Sequence, residues 1–280
     1  MAAHNPASIT RLGCFVNNQS RPALNRIDFP AQASILSCVF VSEAHQRQTG
    51  MTPSEIPLLL DRPAITVDLV IFSVRDHDLN VLLVRRLEAP FRGRWALPGG
   101  FGQPNESLDD AARRQLQEET GVHDVYLEQL YTFGAPRRDP RGRVISVAYF
   151  ALAAATVNAQ ANGGDVEVAW HSLTRLPELA FDHGEIVRYA LQRLRYKLEY
   201  TSVGFELLPN EFTLTELQTA YEIVLGEKLD KRNFRRRILD AGILAETSRY
   251  RESDGQGRPA RLYRYKENAV TEVKARRLFP

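Results

Sequence analysis

Residues 100–122 read GFGQPNESLDDAARRQLQEETGV. In this segment Gly100 is followed by five residues and a glutamate, and that glutamate by seven residues and an arginine. Residues 108–120 are predicted to form a helix, because Gly121 is the kind of residue that ends a helix just beyond its last turn. A glycine-rich loop therefore leads into a short helix that carries several carboxylates.

The polar face of this helix indicates a cation site. Gln115, Glu118 and Glu119 are three and four residues apart, so their side chains share one face. Two adjacent carboxylates there, joined by Glu106 from the loop, would repel one another unless a cation neutralised them. Mg²⁺ or Mn²⁺ is the natural occupant, with Glu118 and Glu119 as ligands, and such an ion can polarise a diphosphate for attack by water. The alternative is an acidic helix face exposed to solvent.

The spacing from residue 100 to residue 122 resembles the Nudix box, Gly-x5-Glu-x7-Arg-Glu-apolar-x-Glu-Glu-x-Gly-apolar. The resemblance implies catalytic roles for Glu106, Arg114, Gln115, Glu118 and Glu119. One defined position differs, since Gln115 stands where the family has a glutamate that is central to hydrolysis. Glutamine can coordinate through its carbonyl oxygen, but it has no charge and cannot act as a base. Metal affinity and turnover are therefore expected to be weak or absent.

Binding of a nucleoside diphosphate could survive this change, because phosphate recognition also draws on backbone and basic groups. The candidate ligand-binding residues are Arg85, Arg86, Gly99 and Gly100. The two arginines would also be unremarkable as exposed residues at a strand end. No catalytic base is identified outside the helix beyond the candidates Glu167 and Glu185.

Strand patterns surround this segment. Residues 65–72 and 80–86 are rich in β-branched and large apolar residues and flank a polar turn at residues 76–78, which predicts a hairpin. Further strands are expected at 125–132 and 143–153, and a second helix at 185–197. The alternation predicts an α/β (α+β) domain over residues 58–200, with a mixed sheet between helices.

After residue 200 the pattern changes. A helix is predicted at 212–225, with Thr213 or Thr215 as its N-cap, and a second helix at 231–241 after a turn at Gly226. A strand–turn–strand follows, with glycines at residues 255–257 at its tip. This is the outline of a winged helix-turn-helix domain over residues 201–280.

The second of these helices is strongly basic. Residues 231–266 contain eleven basic and four acidic residues, a net charge of +7 in a chain whose formal charge is +2. Such a segment suits a phosphate backbone, and arginine and asparagine read base edges. Phe234, Ile238 and Leu239 are expected to hold the helix to the core. The DNA-binding candidates are Lys231, Arg232, Asn233, Arg235, Arg236, Arg237, Arg258 and Arg261. An RNA-binding patch and a surface for acidic partners are the alternatives.

The whole chain has the composition of a globular protein, and its 280 residues allow two domains. Its two cysteines, Cys14 and Cys38, form no metal or disulfide motif. No apolar run is long enough to span a bilayer and no leader pattern is found, which favours the cytoplasm. Residues 1–57 are expected to be a poorly ordered extension, and Met51 is a second candidate for the start of translation.

Both halves together resemble the NrtR family of Nudix-related transcriptional regulators, over residues 58–268. Besides the altered box, the most specific stretches are residues 134–143, 179–183, 197–200 and 229–236. In that family the Nudix domain senses ADP-ribose or a related NAD-derived nucleotide. The winged helices of a homodimer bind a palindromic operator near genes of NAD synthesis or salvage, and ligand binding releases the repressor. The competing hypothesis is an active ADP-ribose pyrophosphatase that carries an accessory domain.

Overall fold

A computed structural model describes residues 63–160, 166–252 and 259–266, so the predicted N-terminal extension lies outside the described residues. The described strands are β1 (Ala64–Arg75), β2 (Asp78–Arg85), β3 (Trp95–Ala96), β4 (Gly99–Phe101), β5 (Tyr126–Phe133), β6 (Val144–Leu152), β7 (Val168–Ser172), β8 (Leu244–Arg251) and β9 (Ala260–Tyr265). The described helices are α1 (Leu108–Thr120), α2 (His183–Tyr200), α3 (Leu214–Leu225) and α4 (Lys231–Asp240).

Seven of the described strands form one mixed sheet. Its order is β3-β2-β1-β6-β5, with β4 added beside β1 and β7 beside β2. β1 and β6 run parallel, whereas the other pairs are antiparallel. The predicted β1–β2 hairpin is confirmed, and its turn residues Asp76 and His77 have positive φ angles of 50° and 59°.

The two sides of the sheet are covered by different helices. Val67, Leu69 and Ile71 pack in a buried cluster with residues of α1. Val70 and Phe72 pack in a second cluster with residues of α2. Because side chains alternate along a strand, β1 contributes to both cores. The predicted arrangement of a mixed sheet between helices is confirmed.

Local capping explains why α1 has the predicted bounds. The hydroxyl of Ser107, the N-cap residue, accepts a hydrogen bond from the Asp110 amide at 3.1 Å. Gly121 follows the last turn with a φ of 66°, a left-handed conformation that glycine adopts without strain. The serine cap and the glycine stop both lie within a few residues of the helix. The bounds of α1 can therefore be predicted from the sequence alone.

The C-terminal part is a winged helix-turn-helix domain, as predicted. Thr213, not Thr215, caps α3, and it forms a capping box with Glu216. The prediction for Leu239 was wrong, because this side chain is 45% exposed whereas Phe234 and Ile238 are buried. Positions 234 and 238 share a helical face, and position 239 is rotated about 100° away from 238. The predicted glycine tip of the wing lies outside the described residues.

The Nudix-like part and the winged helix meet along α2 and α3. One hydrophobic cluster runs from the sheet through α2 to α3 and α4. Gly204 lies where the chain passes between these helices: an added Cβ would stand 2.6 Å from a ring carbon of Tyr221 and 2.7 Å from Leu198. The Arg195 Nε of α2 donates to the carbonyl oxygen of Val224 at the end of α3, at 2.8 Å.

Three short strands, β3, β4 and β7, were not predicted. Each of these strands has five residues or fewer and joins the sheet by pairing with a longer strand. For example, β7 pairs with β2. Within the described residues, no helix is both long and apolar enough to cross a lipid bilayer.

Candidate ligand-binding cleft and nucleic-acid interface

The cation that neutralises two of the predicted carboxylates is Arg114. Its Nη2 and Nε donate to the two Glu106 oxygens at 2.6 and 3.0 Å, and its Nη1 donates to Glu118 at 3.0 Å. The hydrogen bonds from Arg114 lower the pKa of Glu106. In return, the bonds to Glu106 raise the pKa of Arg114. Glu106 and Arg114 therefore tie the loop to α1, and Glu118 is held at the edge of the same pair.

Glu119 has a different environment from Glu118. Burial raises the pKa of its carboxyl to about 7, although the Gly99 amide donates to Oε2 at 3.1 Å and favours the ionised form. The neighbouring charges of Asp68 and Glu118 raise this pKa further. Glu119 is thus partly protonated near neutral pH.

The glycines that precede α1 allow this close packing. An added Cβ on Gly99, whose φ is +156°, would stand 2.2 Å from the backbone oxygen of Val67. An added Cβ on Gly100 would stand 2.6 Å from Nε2 of Gln115, a side chain that is only 8% exposed. The backbone at residues 99–100 consequently lies directly against β1 and α1, with the Gly99 N–H directed at Glu119.

Most of the predicted ligand residues line one cavity. We call this cavity, of about 580 Å³, the carboxylate lobe, and its predicted residues are Arg85, Arg86, Gly99, Gln115, Glu118 and Glu119. A neighbouring cavity of about 230 Å³, which we call the arginine lobe, shares Arg86 and Gly99 and adds Gly100. Its other polar and aromatic lining residues are Thr66, Asp68, Glu88, Phe101, Arg138, Asp139, Arg141, Phe181 and His183, and Glu88 lines the carboxylate lobe as well. Glu106 and Arg114 line neither lobe.

The two predicted arginines differ in availability. Arg85 pairs with Glu167 at 2.8 Å, and both side chains are about half exposed, 50% and 54%. Arg86 donates from Nε to the Pro90 oxygen at 2.8 Å, and its guanidinium lies 4.8 Å from the Phe181 ring centre. Burial lowers the pKa of Arg86, and within the described residues it forms no salt bridge. Arg86 is therefore the cation most available to an anionic ligand.

The two candidate bases outside α1 are not lining residues of the cleft. Glu167 is the partner of Arg85, as described above, and Glu185 is exposed on the first turn of α2. Neither residue lines the carboxylate lobe or the arginine lobe. Glu167 nevertheless borders the carboxylate lobe, because its partner Arg85 and its neighbour Val166 both line that lobe.

A buried network of hydrogen bonds lies beside the arginine lobe. None of its residues was predicted individually from the sequence. Arg138 donates to Asp182 at 2.7 Å and to Asp68 at 3.2 Å, which joins β1 to the start of α2. The Leu97 amide donates to Nδ1 of His183 at 2.9 Å, so this nitrogen is an acceptor, and burial lowers the pKa of the ring. The only sequence signal was the resemblance in the stretches 134–143 and 179–183.

The donor set suits a divalent ion poorly. Glu118 is already paired with Arg114, Glu119 has a raised pKa, and the third position of the face is the amide of Gln115. Among the described residues, no group of three or more histidine, cysteine, aspartate or glutamate side chains is arranged to hold a metal. Hard divalent cations prefer several charged oxygen ligands, and Gln115 offers an uncharged one, so weak metal binding stays a prediction.

The outward face of α4 is basic and mostly unpaired. Lys231, Arg232 and Arg236 are exposed, and they form no salt bridge with any residue in the described part of the chain. Asn233 is exposed as well and accepts a hydrogen bond from Arg236 at 3.1 Å. This face is free to meet a polyanion.

The other predicted DNA-binding residues are placed differently. Arg235 is half-buried and donates to the Thr215 hydroxyl of α3 at 3.1 Å, so it helps to hold the two helices together. Arg237 is also half-buried on α4. In the wing, Arg261 pairs with Glu246 and donates to the Tyr250 hydroxyl at 2.8 Å. Arg258 lies outside the described residues.

Comparisons with known proteins agree with the two-part architecture. The NUDIX domain model matches residues 62–190, and the NrtR DNA-binding winged helix domain model matches residues 204–265. The ADPR responsive transcriptional repressor NtrR of Acinetobacter baylyi is 41% identical over 211 residues, which cover 72% of this chain and 82% of that protein. An ADP-ribose pyrophosphatase of Methanocaldococcus jannaschii is 37% identical over 128 residues, 45% of this chain and 72% of that protein.

The fold is also found in a solved structure. NrtR of Shewanella oneidensis, crystallised in complex with a 27mer DNA, superposes with a TM-score of 0.66 at 38% sequence identity. The match covers 76% of this chain and 98% of that one, so it includes both the Nudix domain and the winged helix.

Proposed function

The chain belongs to the NrtR family of Nudix-related transcriptional regulators, and from this premise we propose that it is a DNA-binding repressor that responds to ADP-ribose. Its Nudix domain binds ADP-ribose or a related NAD-derived nucleotide as effector, and its winged helix binds double-stranded DNA in the cytoplasm. The regulated genes are those of NAD synthesis or salvage.

The observation that carries this proposal is the unpaired basic face of α4. Lys231, Arg232 and Arg236 are exposed on the second helix of a helix-turn-helix, the element that enters the major groove in this class of domain. Several basic residues of the wing are neutralised within the domain, whereas these three are not. A hydrolase would gain nothing from keeping three unpaired cations on one helix, far along the chain from its cleft.

The cleft supports binding more than turnover. Arg86 supplies an unpaired cation for a diphosphate at the junction of the two lobes. The replacement of a carboxylate by Gln115 removes one charged ligand from any site for Mg²⁺ or Mn²⁺. A divalent ion would be held by Glu118 and Glu119, and it would supply charge neutralisation for the diphosphate.

The response to ADP-ribose depends on a difference between its affinities for the free dimer and for the DNA-bound dimer. A homodimer places two α4 helices on half-sites of a palindromic operator, about one DNA turn apart. ADP-ribose releases the DNA if it binds the free dimer more tightly than the DNA-bound dimer. The contact between α2, which begins at the arginine lobe, and α3 of the winged helix gives a physical route for this coupling.

A gel-shift titration tests the proposal. The probe is DNA from upstream of the gene for this protein and of nearby NAD genes, with and without ADP-ribose. We expect specific retardation that ADP-ribose reverses and that Arg236→Ala weakens. Arg188→Ala, which removes an exposed arginine from α2, is the matched control and should bind as the wild type does. Absence of specific retardation would refute the proposal.

A second candidate function is ADP-ribose hydrolysis. It is favoured by the retained Glu106–Arg114–Glu118 arrangement and by the similarity to a pyrophosphatase. Incubation with ADP-ribose and Mg²⁺, followed by chromatography, separates the two candidates. We expect ADP-ribose to remain intact over many binding lifetimes, whereas rapid release of AMP and ribose 5-phosphate would make the protein an enzyme first.

A further inference from the structure

The wing, formed by β8 and β9, carries arginines that are paired with glutamates, in contrast to the basic face of α4. Three such pairs are described, and they are Arg249–Glu211, Arg251–Glu216 and Arg261–Glu246. A guanidinium binds a carboxylate through the same planar fork of N–H donors that it offers to a phosphate. Each glutamate therefore holds donors that a phosphate of DNA would also bind.

Two of the three pairs also support the fold. Glu216 belongs to the capping box of α3, where its Oε2 accepts a hydrogen bond from the Thr213 amide at 2.8 Å. The side chain of Glu211, just before α3, is only 25% exposed. Both of these glutamates bind arginines of β8, so the two pairs tie the wing to the start of α3.

The third pair lies entirely on the exposed surface of the wing. Glu246 is on β8 and Arg261 is on β9, and their side chains are 57% and 42% exposed. Among the described residues, Arg261 is the one partner of the Glu246 carboxylate. Exposed ion pairs contribute little to stability. An incoming anion can therefore replace Glu246 at little cost to the fold.

Arg261 is held in a position that suits an anion from DNA. It donates from Nη2 to the Tyr250 hydroxyl at 2.8 Å, and its guanidinium lies 5.5 Å from the ring centre of this tyrosine. These contacts keep the guanidinium on the wing surface without help from Glu246. The wing follows α4 closely, because α4 ends at Asp240 and β8 begins at Leu244. An element beside a helix that enters the major groove lies near the phosphates that flank the groove.

We propose that Glu246 competes with DNA phosphates for Arg261, so that Arg261 exchanges this carboxylate for a phosphate when the winged helix binds DNA. This inference rests on the proposed function and deepens it, because it names a residue that lowers the affinity for DNA. The free energy of the ion pair is subtracted from that of the phosphate contact, and the released carboxylate repels the DNA backbone. Glu246 thereby limits how tightly the repressor binds, which makes the complex easier for an effector to dissociate.

Fluorescence anisotropy with the full chain and labelled DNA from upstream of its gene tests the exchange. Glu246→Gln, which removes the charge and keeps the length of the side chain, should bind DNA about twofold to fivefold more tightly, the value of one exposed ion pair. Glu252→Gln is the matched control. Glu252 is exposed directly after β8, and it forms no ion pair within the described residues. Its gain should be smaller, because it reports only the loss of one negative charge.

Removal of Arg261 separates the exchange from a general effect of charge. In combination with Arg261→Ala, Glu246→Gln should bring no gain beyond that of Glu252→Gln. In the Glu246→Gln background, Arg261→Ala should also reduce the slope of log affinity against log salt by about 1, the value for one phosphate contact.

The outcomes separate the competition from the function. If Glu246→Gln binds DNA no more tightly than the wild type, or gains no more than Glu252→Gln, the competition is overturned. A gain that persists without Arg261, or an unchanged salt slope, would overturn it as well. Failure of the wild type to bind DNA would instead refute the proposed function. Unchanged melting temperatures show that folded proteins are compared, and Glu246→Thr, with a residue common in strands, is a second variant with the same expected gain.

Discussion

Glu119→Gln should stabilise the protein in a pH-dependent way. Burial raises the pKa of this carboxyl from an ordinary value of 4.5 to about 7. Between those two values the folded protein holds a proton that the unfolded chain has released, so the free energy of unfolding falls as the pH rises. The contribution of the protonated carboxyl is fully present below about pH 4.5 and is lost as the pH passes through about 7.

The magnitude follows from the shift. The change from 4.5 to about 7 corresponds to about 3 kcal/mol, at about 1.4 kcal/mol for each pH unit. Glu119 lines the carboxylate lobe, where water screens part of the charge, so we expect about 2 kcal/mol. Glutamine keeps an oxygen that can accept the hydrogen bond from the Gly99 amide, and it removes the ionisation.

Urea denaturation at pH 4.5, 6 and 8 measures the effect. We expect Glu119→Gln and the wild type to be about equally stable at pH 4.5, and the variant to be more stable by about 2 kcal/mol at pH 8. Glu185→Gln, an exposed position on α2, is the control and should show no such trend. A variant that is no more stable than the wild type at pH 8 would refute the reasoning.

Three further substitutions have definite expected outcomes. Gly99→Ala should cost about 3 kcal/mol in urea denaturation, since its Cβ would stand 2.2 Å from the Val67 oxygen, and a cost below about 1 kcal/mol would contradict the packing. Gln115→Glu places a third carboxylate in a nearly buried position, so thermal melting should show a loss of about 2 kcal/mol that Mg²⁺ reverses, and no response to Mg²⁺ would count against it. Arg236→Ala should reduce the slope of log affinity for DNA against log salt by about 1, whereas an unchanged slope would remove this residue from the interface.

Elements with local signals could be predicted from the sequence. The bounds of α1 are set by a serine cap and a glycine stop, and those of α3 by Thr213 and Gly226, all within a few residues of the helix. The β1–β2 hairpin is also local, because two apolar runs flank a short polar turn. Burial on both faces of β1 depends on the whole fold and was not predicted.

The arginine lobe could not be predicted residue by residue. Asp68 and Arg138 are 70 positions apart in the chain, and they meet because β1 and β6 pair in parallel. Thr66 stands in a strand where threonine is common, so only the structure shows that its buried hydroxyl lacks a hydrogen-bond partner among the described residues.

One cation that neutralises the carboxylates of α1 could have been found in the sequence. Arg114 precedes Glu118 by four residues and therefore lies beside it on the helix. The repulsion between the carboxylates indicated a metal, whereas Arg114 neutralises two of them. The geometry places Arg114 beside Glu106 and Glu118, and a divalent ion on Glu118 and Glu119 stays a prediction.

The most direct test of the central claim is one titration in which DNA release and the fate of the effector are followed together. Labelled operator DNA bound to the wild-type protein is titrated with ADP-ribose, the fluorescence anisotropy is recorded, and the solution is then analysed by chromatography. We expect the anisotropy to fall to that of free DNA while the ADP-ribose remains intact. Anisotropy that stays high at saturating ADP-ribose, or that falls only as ADP-ribose is consumed, would contradict a repressor controlled by effector binding.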